Sequence, residues 1–179
     1  MKNSSKIIWA IALIVIVVLI GVLVFGYYKK INLKIANPVA TMEVENFGTI
    51  KLELYPDQAP QTVSNFIALA NRGFYDGLTF HRIISGFMIQ GGGYTKDFKE
   101  KHCDSIKGEF KSNGVNNELK HTEGVLSMAR TMIKDSASSQ FFIMHKPAPH
   151  LDGEYAAFGK ITEGMDIVDK IATCETDWS

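Results

Sequence analysis

Cysteine is scarce in this sequence: only two occur among 179 residues, Cys103 and Cys174. They form neither a CxxC pair nor a closely spaced even set, which excludes a fold stapled by disulfides. Two unpaired thiols are the simpler reading, with a single bridge outside the cytosol as the alternative. An excess of charge is also missing, since 19 basic residues balance 19 acidic ones. No lysine- or arginine-rich patch is interleaved with aromatics, so the electrostatic footprint of a nucleic-acid-binding protein is absent.

Several catalytic signatures are lacking too. Gly91-Gly92-Gly93 is not followed by the lysine and hydroxyl of a phosphate loop, and reads as a tight turn. Ser85 sits in no GxSxG elbow. His145 and His150 flank two prolines at a spacing that does not match helical metal ligands. Hydrolase and metalloenzyme chemistry therefore find no support, and neither metal nor cofactor is called for.

Charge is absent altogether from residues 7–28, IIWAIALIVIVVLIGVLVFGYY. About 20 apolar residues span a bilayer as a helix. Lysines bracket the run, and Trp9, Tyr27 and Tyr28 lie where interfacial aromatics are favoured. A cleaved signal would have a shorter apolar stretch and a small-residue cleavage site. FGYYKK is a poor one, so the run reads as an uncleaved transmembrane signal anchor. Lys2 and Lys6 before it nearly match Lys29, Lys30 and Lys34 after it, leaving orientation almost undetermined by charge. A single-pass protein of the cell membrane with an extracytoplasmic domain is expected. The organisation is then a short tail at 1–6, the anchor at 7–28, a linker at 29–38 and a domain at 39–179.

In that domain, TMEVENFGTIKLELY alternates apolar and polar residues around Asn46-Phe47-Gly48, which predicts a β-hairpin. Val63, Phe66, Ile67 and Ala70 recur at helical spacing between Pro60 and Gly73, predicting a helix of about three turns. TFHRII, FMIQGG, GVLSMA, QFFIMH and AAFGKI read as short strands, and residues 91–118 as a long loop. Met165, Ile167, Val168 and Ile171 predict a second helix. Many short strands with two helices argue for a mainly β barrel or sandwich.

One stretch, FHRIISGFMIQGG, places Arg82 in an apolar run where an unpaired buried guanidinium would be costly. Together with SQFFIMH and LDGEYAAFGKITEGMDIV it resembles the cyclophilin-type peptidyl-prolyl isomerases, bacterial-like, from about Thr41 to Ala172. The resemblance implies an antiparallel β-barrel, eight-stranded in the family, capped by two helices. The family's last strand has no counterpart before the sequence given ends at ETDWS, so an open edge is expected. It also implies that Arg82 is the catalytic donor, with Gln90 positioning it and His81 beside it. Phe87, Met88, Phe142 and Leu151 match the walls of the proline pocket, Ala129 and Arg130 the edge that contacts substrate backbone, and His150 and Tyr155 its rim. Taken singly, the apolar members would be plain core residues.

Rotation about an X-Pro bond crosses a barrier of roughly 18–20 kcal/mol set by amide resonance. No bond is made or broken, so a fixed guanidinium that donates to the twisted amide is a sufficient chemical tool. The implied partner is a proline-containing polypeptide, bound by a monomer that speeds folding of exported or surface proteins. The alternative is a membrane-tethered proline-peptide-binding or chaperone module with weak or no catalysis. Ser85 replaces the proline of the family's RIIPGF, Arg130 a common asparagine, and His150 the tryptophan of cyclosporin-sensitive members. The last change implies weak cyclosporin binding.

Overall fold

The computed structural model describes residues 16–24 and 36–176 of the chain. The chain divides into two compact units, Met1–Ala36 and Asn37–Ser179. In the first, residues 16–24 form a helix, α1. Among the described residues no helix is long and apolar enough to cross a membrane. The rest of the expected 7–28 span lies outside the described residues.

Among its described residues the second unit contains seven strands: β1 (Val39–Val44), β2 (Gly48–Leu54), β3 (Arg82–Ile84), β4 (Met88–Gly91), β5 (Val125–Met128), β6 (Phe141–Met144) and β7 (Ala157–Glu163). Two helices accompany them, α2 (Pro60–Asn71) and α3 (Met165–Ala172). The strands form one sheet in the order β1-β2-β7-β5-β6-β4-β3, and every pairing is antiparallel. This is a seven-stranded half-barrel, with β1 and β3 at its two ends. The predicted segments all occur, with TFHRII shortened to Arg82–Ile84. Thr79 is drawn away from that strand by donating its N–H to Tyr94 O at 2.8 Å.

Successive strand residues face opposite sides of the sheet, and the chain uses both. The concave side holds the main core: Ile50, Leu52 and Leu54 of β2, Ile89, Leu126, Phe141, Ile143 and Phe158, closed by Val63 and Phe66 of α2 and Val168 and Ile171 of α3. Phe66 meets Phe141 edge-on at 5.6 Å and Phe158 at a tilt at 5.3 Å. The opposite side holds a smaller apolar cluster of Met88, Val125, Phe142, Met144, Ala148, Leu151 and Ala157. Alternate residues of the same strands thus supply two separate apolar layers.

The helix α2 lacks a side-chain cap of its own, because Ala59 precedes Pro60. Its first N–H groups are satisfied from the long loop instead. Glu109 accepts from Gln61 N at 3.0 Å and from Thr62 N and Thr62 Oγ1 at 2.7 Å each. A carboxylate at a helix N-terminus also opposes the positive end of the backbone dipole. The loop expected at 91–118 is therefore ordered by its packing, with Glu109 and Phe110 buried.

Candidate active site

The outer apolar cluster is bordered by polar groups along one row of the sheet. Cross-strand pairing places Arg82 opposite Gln90, Gln90 opposite Phe142, and Phe142 opposite Ser127. Arg82 begins β3 near the end of the sheet, and its side chain is exposed. The desolvation cost that made it conspicuous in the sequence is therefore not incurred. Its Nη1 donates to Gln90 Oε1 at 3.4 Å and lies 3.9 Å from Met88 Sδ. Gln90 Nε2 in turn donates to Gln140 Oε1 at 3.0 Å. The guanidinium is thus the outer end of a three-residue polar chain across β3, β4 and the residue preceding β6.

Gln140 was not singled out in the sequence, although it begins QFF. Its position depends on two glycines. A Cβ on Gly93 would stand 2.6 Å from Gln140 Cδ, and one on Gly92 2.6 Å from Ser139 O. The glycine triplet is a place of close approach behind the polar chain; Gly91 ends β4 and Gly92-Gly93 form a bend rather than the tight turn expected from the sequence.

Phe142 and Met88 form the floor beside this chain, at 5% and 1% exposure. Leu151 is buried, while Phe87, Ala129 and Tyr155 are half-buried and pack against the same cluster. Tyr155 meets Phe142 edge-on at 5.9 Å. His150 is exposed and stacks on Phe87 at 5.9 Å. The pocket residues named from the sequence therefore come together on one face.

Two of the named residues have more specific surroundings. The Arg130 guanidinium lies 4.5 Å from the Tyr155 ring centre and 5.0 Å from that of Phe110. Its Nε and Nη2 donate to Glu154 O at 3.1 and 2.9 Å. With 11% of the side chain exposed, its charge is held against the rim rather than standing free in the groove. His81 packs on Tyr94 at 4.6 Å, and its buried Nδ1 has no hydrogen-bond partner. Desolvation lowers the His81 pKa, against the opposing effects of the Thr79 backbone and Gln140.

A second polar group lies beneath the floor. His121, 1% exposed, places Nδ1 3.1 Å from Asp152 Oδ1 and Nε2 2.9 Å from Ser127 Oγ. These are the residue types of a hydrolytic triad, but Ser127 is fully buried. Its hydroxyl cannot reach a substrate, so the trio serves as a buried support. Among the described residues no group of three or more His, Cys, Asp or Glu side chains could hold a metal. Cys103 and Cys174 are free thiols.

Comparison with known proteins gives the same outline. Residues 39–179 match the family model described as cyclophilin type peptidyl-prolyl cis-trans isomerase/CLD. The chain is 45% identical over 148 residues to a peptidyl-prolyl cis-trans isomerase of Acinetobacter baylyi, covering 79% of this chain and 76% of that one. It is 43% identical over 135 residues to peptidyl-prolyl cis-trans isomerase B of Escherichia coli, covering 70% and 79%. A crystal structure of a Cryptosporidium parvum cyclophilin type peptidyl-prolyl cis-trans isomerase superposes with a TM-score of 0.65 at 32% identity, covering 79% and 86%. A second structure of that protein, in the presence of the dipeptide Ala-Pro, gives 0.62 at 34%, covering 74% and 84%.

Proposed function

The chain belongs to the cyclophilin-type peptidyl-prolyl cis-trans isomerases and is an isomerase, and from that premise we propose how it works and where. A proline ring sits on Phe142 and Met88, between Phe87, Leu151 and Tyr155. The flanking amide then faces Arg82. As the C–N bond twists, conjugation is lost and the prolyl nitrogen regains its lone pair. A guanidinium already held by Gln90 donates to that nitrogen or orients the adjacent carbonyl without reorganising. Ala129 and Arg130 carry the substrate backbone. The observation that supports this reading best is Arg82, exposed beside an apolar floor and tethered through Gln90 to Gln140.

The clients are proline-containing segments of exported or surface proteins, and the enzyme is tethered through residues 7–28 with its catalytic domain outside the cytoplasm. The charge-free run and its flanking lysines support this placement. His150 at the rim supports weak binding of cyclosporin.

The test is an isomerisation assay on an X-Pro peptide with the full chain and with Arg82→Ala. Acceleration by the wild type that is lost in the variant supports the reading. Peptide binding without acceleration would favour a proline-binding or chaperone module instead. Protease accessibility of the domain on intact cells tests the placement, and complete protection would reject an extracytoplasmic domain.

A further inference from the structure

The turn joining β3 to β4 has a definite type. Phe87 N–H donates to Ile84 O at 3.0 Å, making Ser85 and Gly86 its central residues. Gly86 has φ +76°, whereas Ser85 is not among the residues of positive φ. A negative φ followed by a positive one defines type II, in which proline is common at the first central position and glycine is needed at the second. Types I and II differ by a flip of the central peptide, which carries Ser85 C=O and Gly86 N–H. Serine restrains that peptide less than proline would.

His145 supplies the missing restraint. Its Nδ1 accepts from Gly86 N–H at 3.0 Å, and its own N–H donates to Phe87 O at 2.9 Å. Ring and main chain thus hold the second half of the turn, Gly86 and Phe87. The ring is 9% exposed, and its Nε2 lies 3.3 Å from Asp169 Oδ1 on α3. That oxygen is buried and has no hydrogen-bond partner of its own. An imidazole that accepts at Nδ1 carries its proton at Nε2, the nitrogen that lies near the carboxylate. The carboxylate therefore favours the tautomer the turn requires.

We infer that His145, oriented by Asp169, is a positioning residue of the isomerase site: it locks the Ser85–Gly86 turn and so fixes Arg82 and Phe87. The inference rests on the isomerase reading but has a readout independent of it. The full chain is compared with His145→Val, His145→Asn, Ser85→Pro and the Ser85→Pro/His145→Val double variant. Two quantities are measured, kcat/KM on an X-Pro peptide and hydrogen exchange of the Gly86 amide by NMR.

His145→Val lowers kcat/KM by about tenfold, the scale expected of a slight misplacement remote from the chemistry. It also abolishes protection of the Gly86 amide. His145→Asn keeps an acceptor and retains much of that protection. Ser85→Pro removes no hydrogen bond found among the described residues, leaves wild-type activity within about twofold, and restores most of what His145→Val loses. Full activity with a protected Gly86 amide in His145→Val overturns the inference. So does a loss that Ser85→Pro fails to restore, which would make His145 merely structural. If His145→Val does not fold, Asp169→Ala replaces it, and unchanged Gly86 protection there overturns the role of Asp169. An inactive wild type whose Gly86 protection still depends on His145 rejects the isomerase reading and keeps the clamp.

Discussion

Phe142 and His121 lie face to face, their ring centres 6.0 Å apart and their planes within 21°. The floor of the candidate site therefore rests on an ionisable ring, and stability inherits its titration. Burial lowers the His121 pKa below its ordinary 6.5, against the opposing hydrogen bond and charge of Asp152. As pH falls below about 6.5 the unfolded chain takes up the proton first, so stability falls until the folded-state pKa is reached. His81 shifts in the same direction, mainly through desolvation. Denaturant midpoints between about pH 8 and pH 5 decline on the acidic side. His121→Asn reduces the decline, and an unaltered slope in that variant would contradict the assignment.

Arg82→Ala lowers kcat/KM by about 10²–10³-fold, the usual size of a lost preorganised donor. The side chain is exposed, so the unfolding midpoint barely moves. Arg82→Lys keeps the charge but not the planar fork and recovers only part of the rate. Parallel kinetics and unfolding measurements separate these effects.

Gln140 and Gln90 act as one unit in holding the guanidinium. Alanine at either position lowers kcat/KM by about tenfold, mostly through kcat. The double variant loses little more than either single one, because the second change breaks a chain already broken. Additive losses in the double-mutant cycle would show that the two residues work separately.

Glu109→Ala leaves the first-turn donors of α2 without their acceptors. The expected cost is about 2–3 kcal/mol, from buried hydrogen bonds to a charged group. Glu109→Gln keeps one acceptor and recovers about half of it. Urea titration of the three proteins checks the order, and kcat/KM per folded molecule stays near the wild-type value.

The site was legible in the sequence where its residues share a strand or a turn. Arg82, Phe87, Met88 and Gln90 lie in one stretch, and period-two alternation sends Met88 and Gln90 to one face while Ile89 enters the core. What stayed hidden depends on side chains that meet across long separations. Glu109 reaches Thr62 from 47 residues away, His121 meets Asp152 over 31, and Gln140 meets Gln90 over 50. No local pattern encodes such pairs. Arg130 illustrates the same limit, since its position was readable but the stacking of its guanidinium on Tyr155 was not. The partner of the Ser85–Gly86 turn, His145, likewise comes 59 residues after Gly86.

Phe141 and Phe142 are neighbours in the chain, yet one belongs to the interior core and the other to the outer apolar cluster of the candidate site. A shift of β6 by a single residue would exchange them, filling the cluster from the core and the core from the cluster. Such a misaligned sheet would keep its strands and much of its hydrogen bonding while losing its function. Turnover on a proline peptide is therefore a direct gauge of whether β6 has been threaded correctly, finer than any measure of secondary-structure content.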